Sequence, residues 1–237
     1  MVKLLVVNGS PKKEKGHTAK ILTPFLEGTK EAGASVELFY ASQIKPRDCV
    51  GDMNCWYKIP GKCHIRDGMQ EIYPKLREAD ILVLATPVYI PLPGYMQNFI
   101  NRLCPLMDPY LEFSDGRTRA RFHDNVNIRK LVLVSTGAWW EIHNFDPLIR
   151  IAEELAIDSG LEFSGAVLRP HAQVMDRIPE KQDEILQAVF KAGNELIKQG
   201  VISKNTQDII SQPLVPEESL RAIFNANWER TEAGIKN

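Results

Sequence analysis

The sequence predicts an α/β fold: a doubly wound, five-stranded parallel sheet in a three-layer α/β/α sandwich. Three observations carry that prediction. Short apolar, β-branched runs alternate with stretches of helical period along residues 3–200. Most of these runs are continuously apolar, which marks strands covered on both faces. The chain has 237 residues, 44% hydrophobic and 25% charged, enough apolar material for one such domain with an appendage.

The elements follow in order. Residues 3–9 (KLLVVNG) read as the first buried strand. Residues 18–32 read as a helix, with Ile21, Leu22, Phe25, Leu26 and Thr29 near helical spacing and Gly33 as the stop. Residues 35–40 (SVELFY) alternate as a second strand. Residues 48–67 show no period and form an insert holding Cys49, Cys55 and Cys63. Residues 69–78 are helical, 80–86 (DILVLAT) a third strand, and 94–106 a helix. Residues 129–135 (RKLVLVS) are a fourth strand, 146–159 a helix ended by Gly160, and 163–168 a fifth strand. Residues 180–198 are the last long helix, ended by Gly200. Five strands suit the order 2-1-3-4-5 better than a six-stranded dinucleotide-binding sheet. Two segments exceed what the fold needs: a long connection over 107–128, and a C-terminal extension over 201–237 beyond a domain of residues 1–200.

Charge and cysteine usage narrow the function classes. Lys plus Arg number 29 against 30 Asp plus Glu, a net charge of −1, so there is no electrostatic case for nucleic acid or an anionic membrane. No run is long enough for a signal peptide or a spanning helix, and a cytoplasmic location is the expectation. In that reducing setting the clustered cysteines read as thiols or ligands rather than a structural disulfide.

In an open α/β sheet, ligands bind beyond the carboxyl ends of the strands at the switch point, here between strands one and three. The loops after Gly9, Thr86 and Ser135 are therefore the ones to read. The first (NGSPKKEKGHTA, residues 8–19) joins strand to helix with small residues and three lysines. A helix N-terminus offers unpaired N–H groups and a positive dipole end, which suits a phosphate. The spacing matches neither G-x-G-x-x-G nor G-x-x-x-x-G-K-[ST], so a single terminal phosphate fits better than a dinucleotide or nucleoside triphosphate. The alternative is a polar turn with an ordinary capping Thr. The second loop, residues 86–94 (TPVYIPLPG), is stiffened by three prolines and could wall one side of a planar ligand. The third, residues 135–140 (STGAWW), allows close backbone approach and carries two Trp for stacking.

These residues resemble a known family. Gly9-Ser10-Pro11-Lys12, Gly16-His17-Thr18-Ala19, Cys49…Cys55-Trp56, Pro60-Gly61-Lys62-Cys63, Asp67-Gly68-Met69, Thr86-Pro87-Val88-Tyr89 and Phe99-Ile100-Asn101-Arg102 occur in the order of the NAD(P)H-dependent FMN reductases. More narrowly they resemble the branch containing the iron–sulfur flavoproteins. The resemblance implies a flavodoxin-like fold, bound FMN, and NAD(P)H as co-substrate. By position, Ser10, Lys12, His17 and Thr18, with Ala19 beside them, would hold the FMN phosphate. The family often carries Arg at Lys12 and Asn at His17. Pro87, Val88, Tyr89 and Ile90 would face the isoalloxazine. Ser135, Gly137 and Ala138, with Trp139, would line its other side.

The cysteines depart from that pattern. The iron–sulfur members resemble C-x2-C-x2-C followed by a fourth Cys, whereas Asp52 stands at the second position here. A [4Fe–4S] cluster normally takes four thiolates. The readings left open are a vestigial set packing a loop, a three-Cys cluster on Cys49, Cys55 and Cys63, zinc with His64 added, and a redox thiol or disulfide. Cys104, inside the helical stretch 94–106, reads as a core residue. His64, His123, His143 and His171 have no catalytic company, and hydride transfer to a flavin needs none. The loop 107–128, rich in Arg and aromatics, reads either as a lid or nucleotide-phosphate site, or as a solvated or subunit-contact segment.

The expected activity is an FMN-dependent oxidoreductase that accepts hydride from NAD(P)H and serves a small-molecule electron acceptor: a quinone, flavin, nitro compound or metal ion. The alternatives are an iron–sulfur electron carrier between protein partners and a flavin-binding module without turnover. A homodimer or homotetramer is expected by resemblance, with the segment from Ser203 through Trp228 as a candidate arm.

Overall fold

The computed structural model describes residues 1–114, 116–232 and 234. In chain order the elements are β1 (Lys3–Asn8), α1 (His17–Glu31), β2 (Ser35–Tyr40), α2 (Ala41–Ile44), α3 (Asn54–Tyr57), α4 (Met69–Glu78), β3 (Ile81–Pro87) and α5 (Gly94–Asn101). Then come β4 (Met107–Ser114), β5 (Arg117–Phe122), β6 (Lys130–Thr136), α6 (Asp146–Ser159), β7 (Glu162–Arg169), α7 (Pro179–Gln199), α8 (Lys204–Ser211) and α9 (Glu217–Glu232). Five strands form one parallel sheet in the order β2-β1-β3-β6-β7, which is the expected 2-1-3-4-5 once the β4–β5 pair is set aside.

Strand periodicity splits the core in two. Leu5, Val7, Leu82, Leu84, Leu131 and Leu133 point to the face covered by α4, α5 and α6. Leu4, Val6, Ile81, Val83, Val132 and Val134 point to the face covered by α1 and α7. Adjacent residues bury on opposite faces because the side-chain period of a strand is two. On the second face α1 and α7 approach at backbone distance. A Cβ at Gly28 would lie 1.9 Å from the Phe190 carbonyl oxygen, and one at Gly193 would lie 2.0 Å from that of Phe25. Only glycine permits that spacing.

Three expectations change. The helix expected over 94–106 stops at Asn101 and resumes as a short 3-10 turn, Cys104–Leu106. Pro105 has no N–H to donate and disfavours the helical conformation at the residue before it. The connection over 107–128 contains an antiparallel hairpin, β4 on β5, with Arg117 and Arg119 paired to Glu154 and Arg119 to Asp158 on α6 and β5 set beside α6. Its arginines are thus spent within the chain. The extension is helical and folds onto its own sheet: Ile202, Ile210, Leu214 and Leu220 are buried in the α1/α7 core, while Trp228 stays exposed. Residues 202–220 therefore do not form a free arm. Among the described residues no helix is long and apolar enough to cross a membrane.

Buried polar contacts hold the extension in place. Arg169, at the end of β7, donates to the carbonyls of Ile210 (2.6 Å) and Gln212 (2.7 Å). His171 Nε2 accepts from the Leu214 N–H (2.9 Å), and Trp140 Nε1 donates to the Val215 carbonyl (2.8 Å). These bonds lead α9 back over the carboxyl edge of the sheet.

Candidate functional site

A solvent-open cleft of about 370 Å³ lies at the carboxyl ends of β1, β3, β6 and β7. Its floor starts where β1 ends. Asn8 Oδ1 accepts the Ser10 N–H (2.8 Å), and Ser10 Oγ accepts the Lys12 N–H (3.3 Å), so the chain turns sharply before α1. No side chain caps the start of α1. The N–H groups of His17 and Thr18 open the helix and have no carbonyl four residues back within it. The Thr18 and Thr136 hydroxyls share a 2.8 Å hydrogen bond, which stitches this start to the end of β6. Burial first, then Lys12 and Lys20, push the His17 imidazole below its ordinary pKa. The local positive potential therefore comes from the lysines and the helix dipole rather than from an imidazolium.

The other walls are set by sheet-edge hydrogen bonds. The Val88 N–H donates to Thr136 (2.8 Å), and the Gly137 N–H to Arg169 (3.0 Å). Gln173 Nε2 donates to the Ala138 carbonyl (2.7 Å). Phe224 on α9 closes one side, with its ring 5.8 Å from that of Trp139.

Of the residues named from the sequence, Ser10, Lys12, His17, Thr18, Pro87, Val88, Tyr89, Gly137 and Ala138 line this cleft. Four others do not. Ala19 is buried inside α1, and Ile90 points to solvent. Ser135 is buried, bonding the Thr86 carbonyl (2.8 Å), and Trp139 packs on Phe224 outside the lining. Thr136, Ala172, Gln173 and Phe224 line the cleft but were not singled out. Thr136 sat between two named residues. Ala172 and Gln173 follow β7, the last sheet strand, which lies outside the switch point between β1 and β3. Phe224 comes from the extension, with no local signal.

A second, smaller cavity is lined by Cys49, Cys55, Cys63 and Cys104, together with Asp52, His64, Ile65 and Arg102. Cys104 is thus not the core residue expected: it is half-buried, and its Sγ lies 3.7 Å from that of Cys55. Burial pushes its thiol up to about 12, and Cys55, Cys49 and Cys63 act in the same direction. Trp56 Nε1 donates to the Cys104 carbonyl (3.1 Å), fixing α3 on the turn that carries Cys104.

Arg102 braces the whole cavity from behind. Its fully buried guanidinium donates to Asp67 (2.7 Å), to the Arg47 carbonyl (2.9 Å) and to the Ile65 carbonyl (3.3 Å). It thereby clamps both ends of the cysteine segment to the end of α5. Burial works to raise the Asp67 pKa, but hydrogen bonds from Arg102 and from the Arg47 and Met69 N–H groups outweigh it and hold the carboxyl low. Asp52, at the position where the resemblance calls for a cysteine, accepts from the Asn54 N–H (3.1 Å) and side chain (2.6 Å).

The switch-point cleft and the sheet order define a flavodoxin-like α/β protein whose first helix opens, uncapped, at that cleft. Residues 2–139, more than half of the chain, match the family of NADPH-dependent FMN reductases, and the chain belongs to that family. An iron–sulfur flavoprotein of Archaeoglobus fulgidus is 31% identical over 43% of this chain and 48% of its own length. One of Methanosarcina thermophila is 34% identical over 45% of this chain and 51% of its own length. The chain thus spans about half the length of the curated relatives it matches. Among solved structures, a putative quinone reductase from Klebsiella pneumoniae superposes with a TM-score of 0.63 at 15% identity, over 84% of this chain and 86% of that one. An FMN-dependent NADH-azoreductase from Bacillus anthracis, solved with FMN, gives 0.59 at 17%, over 85% and 100%. At these identities the structures establish the shared fold.

Proposed function

We propose that this chain binds FMN in the switch-point cleft and acts as an FMN-dependent oxidoreductase, taking hydride from NAD(P)H and passing electrons to a small acceptor. The observation that carries this reading is the uncapped start of α1, with Ser10, Lys12 and Thr18 around it, at the edge where the Pro87–Tyr89 and Gly137–Ala138 loops face each other. Backbone N–H groups, two hydroxyls and a lysine fit a phosphate dianion. FMN, when bound, supplies the hydride-accepting and electron-donating chemistry.

The chain's own residues then do the rest. Ser10, Lys12 and Thr18 hold the phosphate. The backbone of 87–89 and 136–138, fixed by sheet-edge hydrogen bonds, supplies flat walls and groups already in place. Phe224 and Gln173 narrow the opening and exclude water from that side. Tyr89, Ile90 and Trp139 are exposed apolar groups near the mouth, and a second copy in a homodimer or homotetramer is the proposed cover. The four cysteines carry free thiols, which suits the reducing cytoplasm proposed as its location.

The test is direct. The purified full-length chain is titrated with FMN and then mixed anaerobically with NADH or NADPH. Saturable binding at one site, followed by bleaching of the flavin, supports the reading. Failure to bind FMN sinks it, and binding without bleaching reduces the protein to a flavin-binding module. Gel filtration reports the oligomer separately.

A further inference from the structure

The four cysteines of this chain meet at one cavity, although Cys104 lies 41 residues beyond Cys63. We propose that Cys104 completes a four-thiolate iron–sulfur site with Cys49, Cys55 and Cys63, taking the place that the local sequence leaves to Asp52. The inference is independent of flavin binding.

Four observations support it. The donor chemistry is right, because four thiolates are what a [4Fe–4S] cluster takes. All four cysteines line the same cavity, with Asp52 and His64 beside them, although as the side chains stand no three His, Cys, Asp or Glu among the described residues are placed to hold one metal ion. The cavity is also braced. Arg102 ties the chain just before Cys49 and just after Cys63 to the helix end that delivers Cys104, and Trp56 locks the neighbour of Cys55 onto the Cys104 carbonyl. Finally, Asp52 is engaged with Asn54, and its carboxylate lies 3.5 Å from His64, so it has partners of its own.

Each thiol gives up its proton to solvent as it ligates. Binding also parts Cys55 from Cys104, since two cluster thiolates stand farther apart than this pair. The electrons balance if iron is supplied half ferrous and half ferric with sulfide, which matches the mixed valence of the oxidised cluster without a further oxidant.

The experiment uses the full-length chain, loaded anaerobically with that mixture and desalted. Iron and acid-labile sulfide are counted per chain, and the dithionite-reduced sample is examined by electron paramagnetic resonance. The wild type should hold about four of each and give a cluster signal. Cys104→Ser should lose most of the iron and sulfide and the signal, whereas Asp52→Ala should keep both. FMN affinity and urea unfolding of each variant show whether it has folded.

Alkylation of the unsubstituted protein supplies a readout that does not depend on any variant. In the loaded chain Cys104 should be protected from maleimide along with the other three, and chelation should expose it. Full iron retention in a folded Cys104→Ser chain overturns the proposal. So does rapid alkylation of Cys104 in the loaded protein. Uptake of zinc but not iron, or isolation of a Cys55–Cys104 disulfide that takes up no iron, overturns it equally. None of these outcomes bears on FMN binding, so the two readings fail separately.

Discussion

The switch-point cleft and the cysteine cavity are built in opposite ways. Apart from Phe224 on α9, the cleft is assembled from loops and a helix start that each follow a sheet strand directly, so these lining segments are placed by the strand before them. The cavity is assembled from an irregular insert and from the far end of α5, held together by one buried guanidinium. α5 connects them: the loop before it lines the cleft, and about 12 Å of helix later its end delivers Arg102 and Cys104. A site made of strand ends inherits the rigidity of the sheet. A site made of an insert depends on a few long-range contacts, so single substitutions should reach the two sites unequally.

The largest expected effect tests the clamp. Arg102→Ala leaves Asp67 buried without its partner and should destabilise the protein by about 3–5 kcal/mol in urea unfolding. It should also weaken iron retention by the loaded chain. FMN affinity of the folded fraction should stay within about twofold of wild type, a shift worth under 1 kcal/mol. A parallel loss of FMN affinity would break the contrast between the two regions.

The next effect concerns the extension that closes the cleft. Burial first, then Arg169, depress the His171 pKa from 6.5 to about 4. The unfolded imidazole takes a proton as the pH drops below about 6.5, while the folded one resists until about 4. Stability should therefore be full above pH 6.5, fall by on the order of 3 kcal/mol down to pH 4, and level off below as far as this group is concerned. Urea midpoints across that range should show the slope, and His171→Gln should flatten it. A slope unchanged in the variant assigns the acid sensitivity to other groups.

Smaller effects follow at the proposed phosphate site. Thr18→Ala removes the hydroxyl bonded to Thr136, and Ser10→Ala removes the acceptor of the Lys12 N–H. Each should weaken FMN binding about tenfold, the worth of one hydrogen bond to a charged group. Neither should change iron content. Affinity unchanged in both variants would refute the phosphate assignment. Least is expected from Phe224→Ala, which opens one side of the cleft and loses the contact with Trp139. A loss of about threefold in FMN affinity matches an aromatic contact worth under 1 kcal/mol. No loss would place α9 outside the site.

Much of this molecule was legible residue by residue. The runs KLLVVN, ILVLATP and KLVLVST announced buried parallel strands because continuous β-branched segments have no other economical place. Their order located the cleft, since loops at the carboxyl edge follow strands within a few residues. Nine of the thirteen residues named for the flavin line that cleft. Ala19 and Ser135 miss it for a local reason: one residue's shift along a helix or strand turns a side chain from the edge into the core. The hairpin over 107–122 was hidden because its polar residues alternate too irregularly to announce strands, with a register shift between Asp108 and Glu112.

The sequence by itself determined the alternation of strands and helices, the order of the sheet and the position of the loop after β1, because each depends on periodicity or on chain neighbours. Only the tertiary structure decided that Phe224 and Gln173 narrow the cleft, that His171 and Arg169 anchor the extension, and that Cys104 joins three cysteines more than 40 residues away. A thiol at the end of an apolar helix reads as core by composition. Its neighbours across the fold are set by how α5 packs and by where Arg102 pins the insert, and no local pattern in the chain encodes that meeting.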